Sequence, residues 1–478
     1  MPNKIKLGYA PTRRFVFSKE DAHKYKELTL NKIKNFGNVD VVDLEGINEE
    51  GLLFDNNADA DKIIQRFRAS DVDAVFFPHC NFGTEDTVAR VAKAVGKPAL
   101  LWGPRDESPL SDGSRLRDSQ CGLFATGKIL RRFNVPFTYI VNSRVDDPVF
   151  ERGFRNFVAA ASAVKAFRKL RILQISTRPA GFWTMICNEG ELLERFGIEI
   201  YPISLQEIKE ATERAEAENS PELKATIETI ATRLDCSEVS ADAVKRVAAL
   251  KVAMLRFVVD NGCSAAAIQC WNALQGSIGI MPCLANALLT DEGIPVTCET
   301  DIHGAVTAVL AQGAALGQTA PFFADLTVRH PEDDNGELLF HCGNFPVSLV
   351  AEGCTPRFRK HFLFDSHAPG THESEIKGGS VSIARFDGDH GEYSLFLGRA
   401  NGIKGPFTRG TYLWVEVNDW PLWEERLVKG PYVHHCVGIH GDIIPALYEA
   451  CNYIPGLKPD AVDPTEAEIQ AWMRGKGL

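Results

Sequence analysis

DAVFFPHCNFGTEDTVARVAKAVGKPALLW, Asp73 to Trp102, reads as one complete strand–loop–helix–strand unit. Asp73–Phe77 is a short, almost wholly apolar run without alternation, the pattern of a strand covered on both faces. A polar loop follows from His79 to Asp86. Thr87–Ala94 then spaces its apolar residues as a helix does, and Pro98–Trp102 is a second buried strand. Units of this kind build a parallel sheet with helices on both faces.

The same grammar extends in both directions. Lys4–Tyr9 and Val39–Leu44 read as strands, and Asp59–Ala69 as a helix. A second series starts with the strand Arg171–Ile175 and a Gly/Pro loop through Gly181. The helix Glu189–Phe196 is capped by Gly197, and a strand begins at Glu199–Pro202. Gln206–Thr232 is helical with a solvated, charge-alternating face. Ala241–Asn261 is a further helix, and Ala265–Cys270 a buried strand. After about residue 325 the style changes to short alternating strands with frequent Gly, Asp and His, among them Val381–Phe386, Tyr393–Arg399 and Thr411–Val417. The expected fold is α/β: two Rossmann-like, doubly wound domains at 1–168 and 169–297, then a β-rich, barrel-like domain at 298–478.

The chain has 478 residues, 45% of them hydrophobic and 24% charged, which is ordinary for a globular protein with several cores. A net charge of −11 repels phosphate backbones, so nucleic acid is not an expected partner. No signal-type apolar segment opens the chain and no run of about 18 apolar residues occurs, so neither export nor a membrane span is expected. The 12 cysteines are scattered, with no CxxC pair, which fits reduced thiols in a cytoplasmic protein.

Four constellations carry chemistry. In PVTCETDIHG (Pro295–Gly304) an apolar strand runs into Glu299 and Asp301 just before a helix. Ligand sites of α/β sheets lie beyond the carboxyl ends of strands, and residues i and i+2 share a face. Two carboxylates there suit a divalent cation. The plainer alternative is that Asp301 caps the helix and Glu299 is a surface residue. YVHHCVGIHGD (Tyr432–Asp442) packs three histidines and an aspartate around a strand on which one of two adjacent rings faces inward. FHCGNF (Phe340–Phe345) places His341 at a strand end, as a further ligand, a donor to substrate or a loop histidine. The loops PHCNFGTED, WGPRD and RDSQCG offer amide, carboxylate, guanidinium and aromatic groups for a hydroxyl-rich ligand.

In order and spacing, these segments resemble the L-fucose isomerase family over most of the chain, and L-arabinose isomerases more distantly. LGYAPTRR (7–14) is similar to that family's opening strand and loop. CNFGTED (80–86) and WGPRDESP (102–109) resemble its first-domain substrate loops. GFWTMICNEGELLERFGIE (181–199) resembles the opening of its second domain. TCETDIHGA (297–305) is similar to its metal-binding strand end, and VHHCVGIHGD (433–442) to its C-terminal histidine segment. The resemblance implies an aldose–ketose isomerase working through a cis-enediol, with Mn2+ or Mg2+ as Lewis acid. It implies Glu299, Asp301, His435 and His341 as metal ligands, with Glu299 and Asp301 catalytic. Asn81, Glu85, Trp102, Arg105, Gln120, Trp183, Trp271 and His434 are the expected sugar contacts. A homo-oligomer, hexamer or trimer, is the implied assembly.

One departure stands out. The family's second metal-binding glutamate has no counterpart in CWNALQGSIGIMPCLANALLTDEG (270–293), where its expected position falls near Cys283. Either Glu299 takes over its role or the chemistry has changed. An epimerase or carbon–carbon lyase on the same scaffold, and a non-catalytic sugar-binding protein, are the alternatives.

Overall fold

In a computed structural model describing residues 4–54, 57–364 and 366–477, the run Ala74–Pro78 is the middle strand of a five-stranded parallel sheet. Its strands are β1 (Ile5–Tyr9), β2 (Val39–Val42), β3 (Ala74–Pro78), β4 (Ala99–Trp102) and β5 (Thr138–Tyr139), in the order β2-β1-β3-β4-β5. All five residues of β3 and all four of β4 are buried, as their unbroken apolar pattern requires.

A second parallel sheet contains β6 (Arg171–Ile175), β7 (Glu199–Ile203), β8 (Ala265–Ile268) and β9 (Val296–Thr297), ordered β7-β6-β8-β9. Its core joins Leu173, Ile175 and Ile268 to the apolar face of the helix Ala241–Asp260. The charged stretch after residue 205 is two helices, Leu205–Glu218 and Pro221–Arg233. Asn219 takes a left-handed φ of 48°, Ser220 caps the next helix and Pro221 occupies its first turn, so the chain must break there.

The remaining strands are β10 (Phe322–Arg329), β11 (Gly336–His341), β12 (Arg357–Lys360), β13 (Pro369–Glu375), β14 (Ser380–Asp389), β15 (Glu392–Ile403), β16 (Thr411–Glu416), β17 (His435–His440) and β18 (Leu457–Asp463). Six of them, β16-β11-β10-β17-β14-β15, pair antiparallel, and β15 pairs with β16 to close a barrel. Phe322, Ala324, Leu339, Ile383, Leu413 and Cys436 are among the residues of its core. The protein is therefore a mixed α/β chain with parallel sheets and a closed C-terminal β-barrel.

The chain forms two compact units. One comprises residues up to Lys165 together with Pro445–Ile454 and the segment from Glu466; the other comprises Ala166–Ile444 and Pro455–Thr465. The first unit is thus discontinuous, and its late segments are tied in chemically. Tyr453 donates from its hydroxyl to the carbonyl of Ala99 at 3.1 Å, and Arg152 stacks over the ring of Trp472 at 4.5 Å. No helix among the described residues is long and apolar enough to cross a membrane.

Candidate metal centre

Strand β9 ends at Thr297, so Glu299 and Asp301 stand in the turn beyond it rather than on the strand itself. The turn is strained: Glu299 and Thr300 both take left-handed φ values, 54° and 59°, which cost non-glycine residues roughly 1–3 kcal/mol each. Three bonds hold it. Thr300 N–H donates to Ile268 O at 3.1 Å, its hydroxyl to Thr177 O at 3.2 Å, and Asp301 N–H to Cys298 O at 3.0 Å. The outcome is that Glu299 is buried at 4% exposure, not a surface residue.

Three elements bring ligand-type groups to Glu299. On β10 the side chains alternate, Phe322 and Ala324 entering the barrel core, so Phe323 and Asp325 take the opposite face. Asp325 pairs directly with His435 on β17, which puts both on one face, and His341 ends β11. The Oε2 of Glu299 lies 3.7 Å from Nε2 of His341 and 3.7 Å from Nε2 of His435. Nε2 of His435 lies 3.5 Å from Oδ1 of Asp325. Glu299 Oε2, His341 Nε2 and Asp325 Oδ1 are all buried without a hydrogen-bond partner. Donor atoms bound to one cation at about 2.2 Å, and about 110° apart, sit about 3.6 Å from each other. Glu299 Oε2 stands at about that spacing from a ring nitrogen of each histidine, and His435 Nε2 from Asp325 Oδ1, an arrangement that fits a divalent ion.

The electrostatics agree. Burial raises the Glu299 carboxyl, but the His341 and His435 rings outweigh it and hold it at about 2. For His341, burial opposes charge, yet Asp325 and Glu299 outweigh it and raise the ring well above its ordinary range.

Asp301 does something else. Its Oδ1 caps the helix Ile302–Ala314 by accepting from Gly304 N–H at 2.8 Å, and also accepts from Arg385 at 3.2 Å. Its Oδ2 pairs with Arg385 and with Nδ1 of His435 at 2.9 Å. Burial opposes its charge, but Arg385 and His435 hold its carboxyl far below the usual range. Both oxygens of Asp301 thus have protein partners, and through Oδ2 the carboxylate holds the His435 ring with its Nε2 turned toward Glu299. Arg385 is in turn held by Asp387, 2.7 Å away, and Asp387 by His303 at 2.8 Å.

Of the expected sugar contacts, Trp271 and His434 adjoin this set. Trp271 donates Nε1–H to Glu299 Oε1 at 3.0 Å and packs edge-on against Phe182 and Phe364. His434 is exposed, its ring 4.3 Å from that of His435. Trp183 is 75% exposed on the short turn after Phe182. The other five belong to the first unit. There Asn81 ties its loop to the one after β1, accepting from Arg14 N–H at 2.8 Å, and Glu85 pairs with Arg14. Trp102 is fully buried, with its indole N–H donated to Ser143 at 3.0 Å, so it is a core residue and its reading as a sugar contact is corrected. Arg105 and Gln120 are exposed. Cys283 opens the helix Cys283–Asp291 and packs against Met281, Cys342 and Ala368.

A family model for the N-terminal domain of fucose/sulfoquinovose isomerases matches residues 8–168. Sulfoquinovose isomerases of Priestia aryabhattai and Priestia megaterium are each 26% identical over 455 residues, covering 92% of this chain and 96% of theirs. One from Alkalicoccus urumqiensis is 25% identical over 80% of this chain and 84% of its own. A periplasmic solute-binding protein of Actinobacillus succinogenes with bound D-allose superposes at a TM-score of only 0.17 and 15% identity, which carries no argument. The motifs quoted from the sequence, the family model over the N-terminal domain and relatives matching over most of their length agree that the chain is similar to the L-fucose isomerase-like family.

Proposed function

We propose that the protein is a metal-dependent aldose–ketose isomerase and that its substrate is sulfoquinovose, the sugar named in its relatives. The isomerase class itself follows from the family and those relatives. Metal dependence rests on the converging, unpartnered donors of Glu299, His341 and Asp325 beside His435. The residues that would hold the ion are Glu299, His341 and His435, with Asp325 at the edge of the set. The carboxylate oxygens of Glu299 and Asp325 suit Mn2+ or Mg2+, while the two imidazoles would also accept a borderline ion such as Fe2+ or Zn2+. A bound ion supplies Lewis acidity toward the sugar's carbonyl.

The chain's own groups supply the rest. Asp301 and Arg385 keep the His435 ring in one orientation. Trp271 and Cys270 fix Oε1 of Glu299. Isomerisation moves one proton between neighbouring sugar carbons through a cis-enediol. A carboxyl held at about 2 is a poor proton acceptor at neutral pH, so Glu299 suits a ligand's role. Asp325, a quarter exposed and with one oxygen unpartnered, is the better candidate to take and return the proton.

We further propose the finer architecture read from sequence: doubly wound sheets in domains 1–168 and 169–297, and a third domain at 298–478. A cytoplasmic homo-oligomer, hexamer or trimer, in which Arg105 and Gln120 reach sugar, completes the reading. The test is to incubate the purified protein with sulfoquinovose, follow ketose formation by NMR, then strip it with a chelator and restore it with Mn2+ or Mg2+. Turnover that survives complete metal removal sinks the metal, and a different product would point to an epimerase or a carbon–carbon lyase.

A further inference from the structure

The carboxylate of Glu299 has two unlike sides. Oε2 faces imidazole nitrogens, while Oε1 faces the Cys270 thiol beside the indole N–H of Trp271. Cys270 lies two residues beyond β8 and Cys298 one residue beyond the adjacent β9, so two parallel strands deliver two thiols to one point. Cys270 donates Sγ–H to Glu299 Oε1 at 3.2 Å, and a carboxylate oxygen of Glu299 and the two sulfurs all lie within 4.8 Å of one another. Both cysteines are buried. Asn286 and Asn344 each aim an amide N–H at Cys298 Sγ from 3.5 Å, and both amides' own oxygens are buried without a partner. Sulfur ligands select zinc-like, thiophilic ions over Mg2+ and Mn2+, and thiolates bound to such an ion at about 2.3 Å stand about 3.8 Å apart.

We propose that Cys270, Cys298 and Glu299 form a second cation site for a thiophilic divalent ion such as Zn2+ or Cd2+, and that its filling inhibits the enzyme by drawing Glu299 away from His341 and His435. The inhibitory half rests on the isomerase reading; the site itself does not. Binding forms two metal–sulfur bonds and one metal–oxygen bond. Both Sγ–H bonds break, both protons leave to solvent, and no electron is transferred.

The experiment titrates CdCl2 into the full chain carrying Cys121→Ser, which removes the exposed thiol, with Mn2+ present in excess. The expected result is ultraviolet cadmium–thiolate charge-transfer absorption that saturates at one ion per chain, releases two protons, and accompanies loss of turnover. Adding Cys298→Ala removes the one-equivalent band and leaves turnover standing at that cadmium level. Cys270→Ala, read by the cadmium–thiolate band alone because this thiol also holds Glu299, guards against a single variant that misfolds. No band in the parent protein, or an undiminished band in both variants, overturns the site. A saturated band with full turnover overturns the inhibition. A band that behaves as expected in a protein that isomerises no sugar supports the site and defeats the isomerase reading instead.

Discussion

Three side chains separate the roles at the proposed cation site. Glu299→Gln loses the charge that faces His341 and His435, so ion affinity and turnover are expected to fall together. Asp325→Asn is expected to bind the ion while losing turnover by about 10²–10⁴-fold, the usual worth of a positioned acid or base. Isothermal titration with Mn2+ alongside NMR turnover checks both; full activity in Glu299→Gln would remove it from the site. Cys283→Ala is expected to keep most activity, because the thiol packs among Met281, Cys342 and Ala368. Sequence could single out Glu299, His341 and His435, which the structure brings together, because each stands at or just beyond a strand end in a motif rich in ligand-type groups. Asp325 was not, because it lies inside an apolar run, FFADLTVR, and only the pairing of β10 with β17 sets it opposite His435. Trp102 misled for the opposite reason: an aromatic residue at the end of a strand looks available until the helices above it are in place.

At the scale of the element, the turn between β9 and the helix Ile302–Ala314 shows what strand-end logic located and what it left out. Sequence pattern puts Glu299 and Asp301 on one face of a strand; the chain leaves the strand at Thr297 and spends Asp301 on the helix cap. Asp301→Asn leaves Arg385 with one buried partner fewer and His435 without its anionic anchor. Metal affinity is expected to drop about 10–100-fold. A stability loss of about 3–5 kcal/mol is expected from the broken buried pair, measurable by urea unfolding. The barrel offers a second check. A Cβ on Gly398 of β15 would lie 2.2 Å from the ring of the buried Trp423. Gly398→Ala is therefore expected to lower the Tm, at a cost of about 1–3 kcal/mol, without changing metal stoichiometry. Alternation made these strands readable, but barrel closure depends on β15 meeting β16, a contact no local pattern announces.

For the whole molecule, the discontinuous first unit leaves a titratable mark. Glu449, in a late segment of that unit, is buried against Thr138, and burial raises its carboxyl to about 6, while the hydrogen bond from Thr138 only partly offsets this. An acid raised in the folded state binds its proton more tightly there than in the unfolded chain. Stability from this group is therefore complete below about pH 4.5 and lost as pH rises through about 6. Glu449→Gln is expected to stabilise the protein by about 2 kcal/mol above pH 6 and to be neutral below pH 4.5, as melting curves across that range will show. The sequence signals for both parallel sheets were strong because each is built from neighbouring segments. The return of residues 445–454 and 466 onward was invisible, since nothing local in a short helix says which sheet it will cover.

That return also sets an order of events on the ribosome. Domains usually fold as they emerge, the N-terminal one first. Here the opening sheet leaves the exit tunnel long before Tyr453 and Trp472 are synthesised, so the carbonyl of Ala99 and the side chain of Arg152 must wait for the chain's last stretch. A nascent chain stalled after Ile444 lacks a part of its first unit as well as the end of its second. Translation that stops short therefore yields no intact half to escape proteolysis, and completeness of synthesis becomes a condition for either unit to persist.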